Sequence, residues 1–144
     1  MSADGLSAIE VEACDWVAGQ RDAMLAQTMA LAEINSGSFH AAGVNRVLEA
    51  MRDAAAPLGA AAERLPVEPF AGFDAEARPL QRPLGDALRL LKHPEARYRV
   101  FLGGHLDTVF AEDHPFQALT WIDEQTLNGP GVADLKGGLV VMLT

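Results

Sequence analysis

The chain has 144 residues and a mass of 15.3 kDa, one small domain's worth, long enough to bury roughly 68–70% of its unfolded surface without a disulfide or structural metal. Its 49% hydrophobic and 22% charged residues, with a mean hydropathy of +0.07, exclude a disordered, collagen-like or membrane-spanning chain. A net charge of -9 and a pI near 4.7 argue against nucleic acid and membrane lipid as partners, since both are bound through clustered Lys and Arg; a cation or a neutral ligand suits this charge better.

From Ser7 to Glu33 no proline intervenes, and Ile9, Ala13, Trp16, Val17, Met24, Leu25, Thr28, Met29, Leu31 and Ala32 recur at helical spacing. This predicts one long helix or two abutting ones broken at Gly19. Asn35, Ser36, Gly37 and Ser38 form a turn cluster, with Ser36 and Ser38 read as turn and capping hydroxyls because no base is paired with them. Val44, Val47, Leu48, Met51 and Leu58 then predict a second helix over about 43–58, stopped by Gly59. Pro66, Pro69, Gly72, Pro79 and Pro83 break every later helical window and leave short strands and loops. Residues 86–91 are a candidate strand, residues 93–96 a turn, and residues 98–102 the clearest strand, running into Gly103 and Gly104. Residues 121–127 read as a short hairpin ahead of a glycine-rich loop, and residues 138–144 open an apolar run, helix or buried strand, without a terminator.

Cys14 is the only cysteine, placed on a helix and expected to be buried; with no second thiol, a metal site must use His and carboxylates. Residues 1–10 have neither a basic n-region nor an apolar h-region, which points to a cytoplasmic address. His40 and His93 flank turns and read as solvated, whereas His114 lies in a loop able to border a cleft.

Chemistry concentrates in two segments. The first is Gly103-Gly104-His105-Leu106-Asp107-Thr108-Val109 at the end of the expected strand. Alternate residues of a strand share a face, so His105 and Asp107 point one way and Leu106 the other. One imidazole nitrogen of His105 is then free to bind a metal, while the Asp107 carboxylate fixes the tautomer from the other nitrogen. The second is Asn128-Gly129-Pro130-Gly131-Val132-Ala133-Asp134-Leu135-Lys136-Gly137-Gly138, with four of the chain's 13 glycines, a density that lets backbone approach a ligand or another backbone closely. Phosphate cradling fails on spacing, because Lys136 precedes Gly137 and Asp134 stands where a dinucleotide fingerprint needs a small residue.

Taken in order, GHLDTVF and LNGPGVADLKGG resemble the di-zinc exopeptidase and deacylase family that includes glutamate carboxypeptidase, acetylornithine deacetylase, succinyl-diaminopimelate desuccinylase and aminoacylase. Gly129-Pro130-Gly131 and the upstream Ile34-Asn35-Ser36-Gly37-Ser38 look most like the glutamate carboxypeptidase branch. The resemblance implies an α/β fold, helices packed on a mixed sheet, and it makes residues 1–144 the N-terminal portion of a metallopeptidase catalytic domain. It implies that His105 ligates one metal, that Asp107 orients His105 and so serves catalysis, and that Asp134 bridges two Zn²⁺ ions, with Co²⁺ as a substitute. The family continues with a Glu-Glu pair that supplies the general base and a further ligand, then later ligands and an inserted dimerisation domain typical of a homodimeric parent. None of these occurs before Thr144.

The expectation is therefore a zinc-dependent carboxypeptidase or deacylase acting on a small peptide or N-acyl amino acid, present as a catalytically silent fragment. Two rivals stand beside it. One is a non-catalytic product that binds a peptide or partner; the other is a nucleotide-binding α/β domain, disfavoured by the glycine spacing.

Overall fold

The computed structural model describes residues 5–144. Helix α1 (Ala8–Gly19) opens on a reciprocal cap: the Glu10 amide donates to the Ser7 hydroxyl while the Ser7 amide donates to the Glu10 carboxylate at 2.7 Å. The chain breaks after Gly19, and α2 (Arg21–Ala32) follows at once. Helix α3 (Ala41–Ala55) runs into a 3-10 turn (Ala56–Leu58). Gly59 then closes it at φ 62, a left-handed conformation that a Cβ disfavours. The last helix is α4 (Gly137–Leu143).

Strands β1 (Ala61–Leu65) and β4 (Ala87–Leu91) pair antiparallel, Ala61 opposite Leu91 and Leu65 opposite Ala87. Between them in sequence, β2 (Phe70–Phe73) and β3 (Pro79–Arg82) form a second antiparallel pair, and β5 (Thr120–Trp121) with β6 (Leu127–Asn128) a third. Helices and strands thus coexist, as an α/β reading requires, but the expected mixed sheet is corrected to three separate two-stranded antiparallel ladders. Among the described residues, the single parallel pairing outside them is an isolated bridge between Gly37 and Thr108. The strand expected at 98–102 is a second correction. Those residues are unpaired, with Val100 85% and Phe101 92% exposed. A β-favouring run becomes a strand only where another backbone meets it, and between Arg97 and Asp107 no backbone-to-backbone hydrogen bond forms among the described residues.

The core lies where α2, α3 and α4 meet. Leu31, Val47, Met51, Leu139 and Val140 form its centre, with Met24, Ile34, Leu88, Leu106 and Met142 packed around them. Helix α3 buries Val44, Val47, Leu48, Met51 and Ala55, the stripe that its 3.6-residue period demands. In contrast, α1 buries none of its residues, so Ile9, Trp16 and Val17 remain exposed. Cys14 is exposed with them, and its expected burial is corrected: helical periodicity marks a face, but no described residue buries this one. Among the described residues no helix is long and apolar enough to cross a membrane.

Candidate metal centre

The site begins with the turn that follows α2. The Thr108 amide donates to the Ser36 carbonyl at 2.8 Å, and the Ser38 amide donates to the Thr108 carbonyl at 3.0 Å. Asn35 extends the hold: its amide nitrogen donates to the Phe110 and Ala111 carbonyls and to Gln117 Oε1, while its oxygen accepts from the Gly37 amide. Gly37 admits the neighbouring chain because a Cβ there would sit 2.6 Å from the Phe110 carbonyl oxygen. The segment that ends in Thr108 is thereby fixed at one point, three residues past His105.

His105 and Asp107 project together although the strand expected beneath them is absent, and Leu106 turns to the core. Nδ1 of His105 lies 2.9 Å from the Asp107 carbonyl oxygen and 3.1 Å from Asp107 Oδ1. Both partners are acceptors, so Nδ1 carries a proton.

The second segment arrives from β6. Gly131, at φ 76, brings the chain so close to Thr108 that a Cβ would meet the Thr108 methyl at 2.7 Å. A π-turn (Val132–Lys136) follows, closed by the Lys136 amide donating to the Gly131 carbonyl. Asp134 stands out of the turn at φ -136, ψ 93, and the Asp134-Leu135 peptide is cis. The Asp134 carboxylate places Oδ1 2.9 Å from His105 Nε2. The two sequence segments, 29 residues apart, therefore converge on one imidazole ring, with Asp107 and Asp134 on opposite nitrogens.

This ring has acceptors on both sides, so it is either an imidazolium or a neutral ring with a cation at Nε2. Without a cation its pKa is raised, first by the Asp134 hydrogen bond and then by Asp107 through its backbone carbonyl and its charge, against partial burial. His105 and Asp134 side chains are 47% and 86% exposed, so solute reaches them. Their N···O separation falls just short of the roughly 3–4 Å that two ligands of one Zn²⁺ require, a gap that a small side-chain rotation supplies. The donor types fit a zinc site, one nitrogen and one carboxylate, with the opposite nitrogen held as metal-bound histidines hold theirs. The set is short in number: among the described residues no group of three or more His, Cys, Asp or Glu side chains is placed around one point.

A cleft of about 310 Å³ opens beside the pair, walled by Val109, Phe110, Phe116, Asn128 and Val132. On the other side a larger apolar groove, about 860 Å³, runs between β4, α4 and residues 98–107. The smaller cleft holds Asp134 as well as His105. The exposed Asp134 carboxylate in the glycine-rich loop repels phosphate, which counts against the nucleotide rival.

Of the remaining histidines, His40 corrects the expectation of a solvated side chain. Its Nδ1 donates to Asn35 Oδ1 at 3.0 Å and its Nε2 faces Glu112 at 3.2 Å, leaving the side chain 14% exposed. His114 accepts from the Phe116 amide and lies tilted against the Phe110 ring at the edge of the same loop. The sequence reading gave Asn35 and Lys136 no site role; the signal for Lys136 was a lone cation among glycines and aliphatics in VADLKGGLVV.

No family model, curated protein or solved structure matches the chain.

Proposed function

We propose that these residues carry part of the metal centre of an amide hydrolase of the di-zinc exopeptidase and deacylase kind, within the N-terminal portion of its catalytic domain, and that its substrate is a small peptide or N-acyl amino acid. The observation that supports this is the His105 ring with an acceptor on each nitrogen, built from the two sequence motifs that carry the resemblance. In this reading His105 Nε2 and Asp134 are ligands, and Asp107 holds the Nδ1 proton so that Nε2 stays available. Zn²⁺ bound there would lower the pKa of its water to about 7 and polarise a substrate carbonyl. Asp134, with its second oxygen free, is the residue suited to bridge to a second ion. The cleft beside Phe110 and Phe116 takes the substrate, its aromatic wall excluding water from one side.

A catalytic zinc takes three protein ligands, and a hydrolase also needs a general base. Among the described residues no third ligand joins His105 and Asp134, so the reading requires further groups to complete the site. The chain of residues 1–144 alone is expected to bind Co²⁺ weakly and to leave acyl-amino acids and glutamyl peptides uncleaved. Calorimetric titration with Co²⁺ tests the assignment, with binding lost in His105→Ala and in Asp134→Ala. Absence of binding, or binding that both variants retain, overturns it.

A further inference from the structure

Lys136 is among the most deeply buried side chains, at 1% exposure, and its burial lowers the ammonium pKa to about 8. A buried ammonium is costly unless hydrogen-bonded. Here Nζ donates to the Ile34 carbonyl at 2.7 Å, a contact spanning 102 residues of sequence. Ile34 stands one residue past the C-cap of α2, Glu33, on the side of the helix where the dipole favours a cation. The alkyl stem passes beneath Gly131, where a Cβ would meet Lys136 Cδ at 3.1 Å and the Thr108 methyl at 2.7 Å.

Two lines of hydrogen bonds therefore end on the same short turn. One runs from Ser36 and Ser38 to Thr108, next to Asp107; the other runs from Ile34 to Lys136, two residues past Asp134. We propose that Lys136 is a positioning residue, whose bond to the Ile34 carbonyl ties the Asp134 turn to the turn that holds the His105 segment and so sets the separation of the two side chains. A neutral residue of the same length would fill the space and leave the Ile34 carbonyl unpaired. The Asp134 turn would then keep its own backbone bonds and the Asp134 contact to His105 but lose its tie to residue 34. The affinity readout and the Co²⁺ arm of the labelling rest on the metal reading above; the exchange readout and the labelling without Co²⁺ do not.

The experiment compares wild type, Lys136→Met, and Val47→Ala, a core substitution on α3 that takes part in neither line of hydrogen bonds and matches a general loss of stability. Lys136→Met is expected to speed amide hydrogen exchange across residues 132–137 and to weaken Co²⁺ binding about 10–100-fold, as loss of a group that orients a ligand does. Val47→Ala is expected to change neither beyond its effect on global stability. A second measurement needs no variant, because Lys136 and Lys92 are the only lysines and Lys92 is exposed. Acetylation should label Lys92 freely and Lys136 slowly, and saturating Co²⁺ should slow Lys136 about 5-fold or more while leaving Lys92 alone, because coupling is reciprocal. Exchange across residues 132–137 that is the same in Lys136→Met as in Val47→Ala overturns the proposal, as does labelling of Lys136 at the Lys92 rate. If wild type binds no Co²⁺, the metal assignment falls; faster exchange in Lys136→Met alone still supports the positioning role, and unchanged exchange defeats it.

Discussion

The turn at residues 34–38 and the run at residues 98–102 both connect elements of the fold, and they differ in where their polar backbone goes. In the turn, Ile34, Ser36 and Ser38 bond across the chain to Lys136 and Thr108, and Ser36 is wholly buried. In the run, no backbone group bonds to another among the described residues, and Tyr98, Val100, Phe101 and Leu102 are exposed. The apolar character of the second segment exceeds that of the first, yet the first is the one that organises the molecule. Burial follows from the whole set of contacts that an element can complete, and a small polar turn with glycine at its centre completes more of them than an apolar strand with no partner.

The largest test of this contrast removes packing from one side only. Leu48→Ala, at a side chain with no exposure, is expected to cost about 2–5 kcal/mol in denaturant unfolding. Phe101→Ser, in the run, is expected to stay within about 0.5 kcal/mol of wild type. A loss above about 1 kcal/mol at Phe101 would show that the run is held more firmly than its exposure indicates.

Next in size is the clamp on the ring. Asp107→Ala is expected to lower Co²⁺ affinity about 10–100-fold with little change in global stability, measured by calorimetry beside a melting curve. Equal affinity in the variant would reduce the His105–Asp107 contact to a coincidence of loop geometry.

The smallest effect is on proton affinity. The His105 pKa is raised, chiefly by Asp134, so the stabilisation from this contact is fully present below the ordinary imidazole value of about 6.5 and is lost as pH rises through the higher folded value. An NMR titration of the His105 ring should place its midpoint above 6.5 in wild type and closer to 6.5 in Asp134→Asn. A midpoint that Asp134→Asn does not move would remove Asp134 from the ring.

Local signals were legible in the sequence. The apolar period of α3, the break at Gly19, the left-handed stop at Gly59, the turn at residues 93–96 and the hairpin of β5 and β6 all follow from residue spacing and from glycine or proline. The pairing of His105 with Asp107 was legible from i, i+2 spacing, whereas the approach of Asp134, 29 residues on, was expected only from the family resemblance. What the spacing did not carry was pairing over distance. The unpartnered run at 98–102, the separate antiparallel ladders and the exposed face of α1 with Cys14 depend on which other surfaces arrive. The half-buried His40 depends on Asn35 and on Glu112, 72 residues away, and the Lys136 tether on a carbonyl more than 100 residues upstream.

The placement of acceptors on both sides of the His105 ring makes proton release and cation uptake one event. Any cation that takes Nε2 displaces the proton shared with Asp134, and the displaced proton passes to the buffer. Below the pH at which the ring titrates, the heat of cation binding should differ between two buffers by the difference in their enthalpies of ionisation. Above that pH the two heats should coincide. The ring thereby reports its own occupancy calorimetrically, without a chromophore or a substrate.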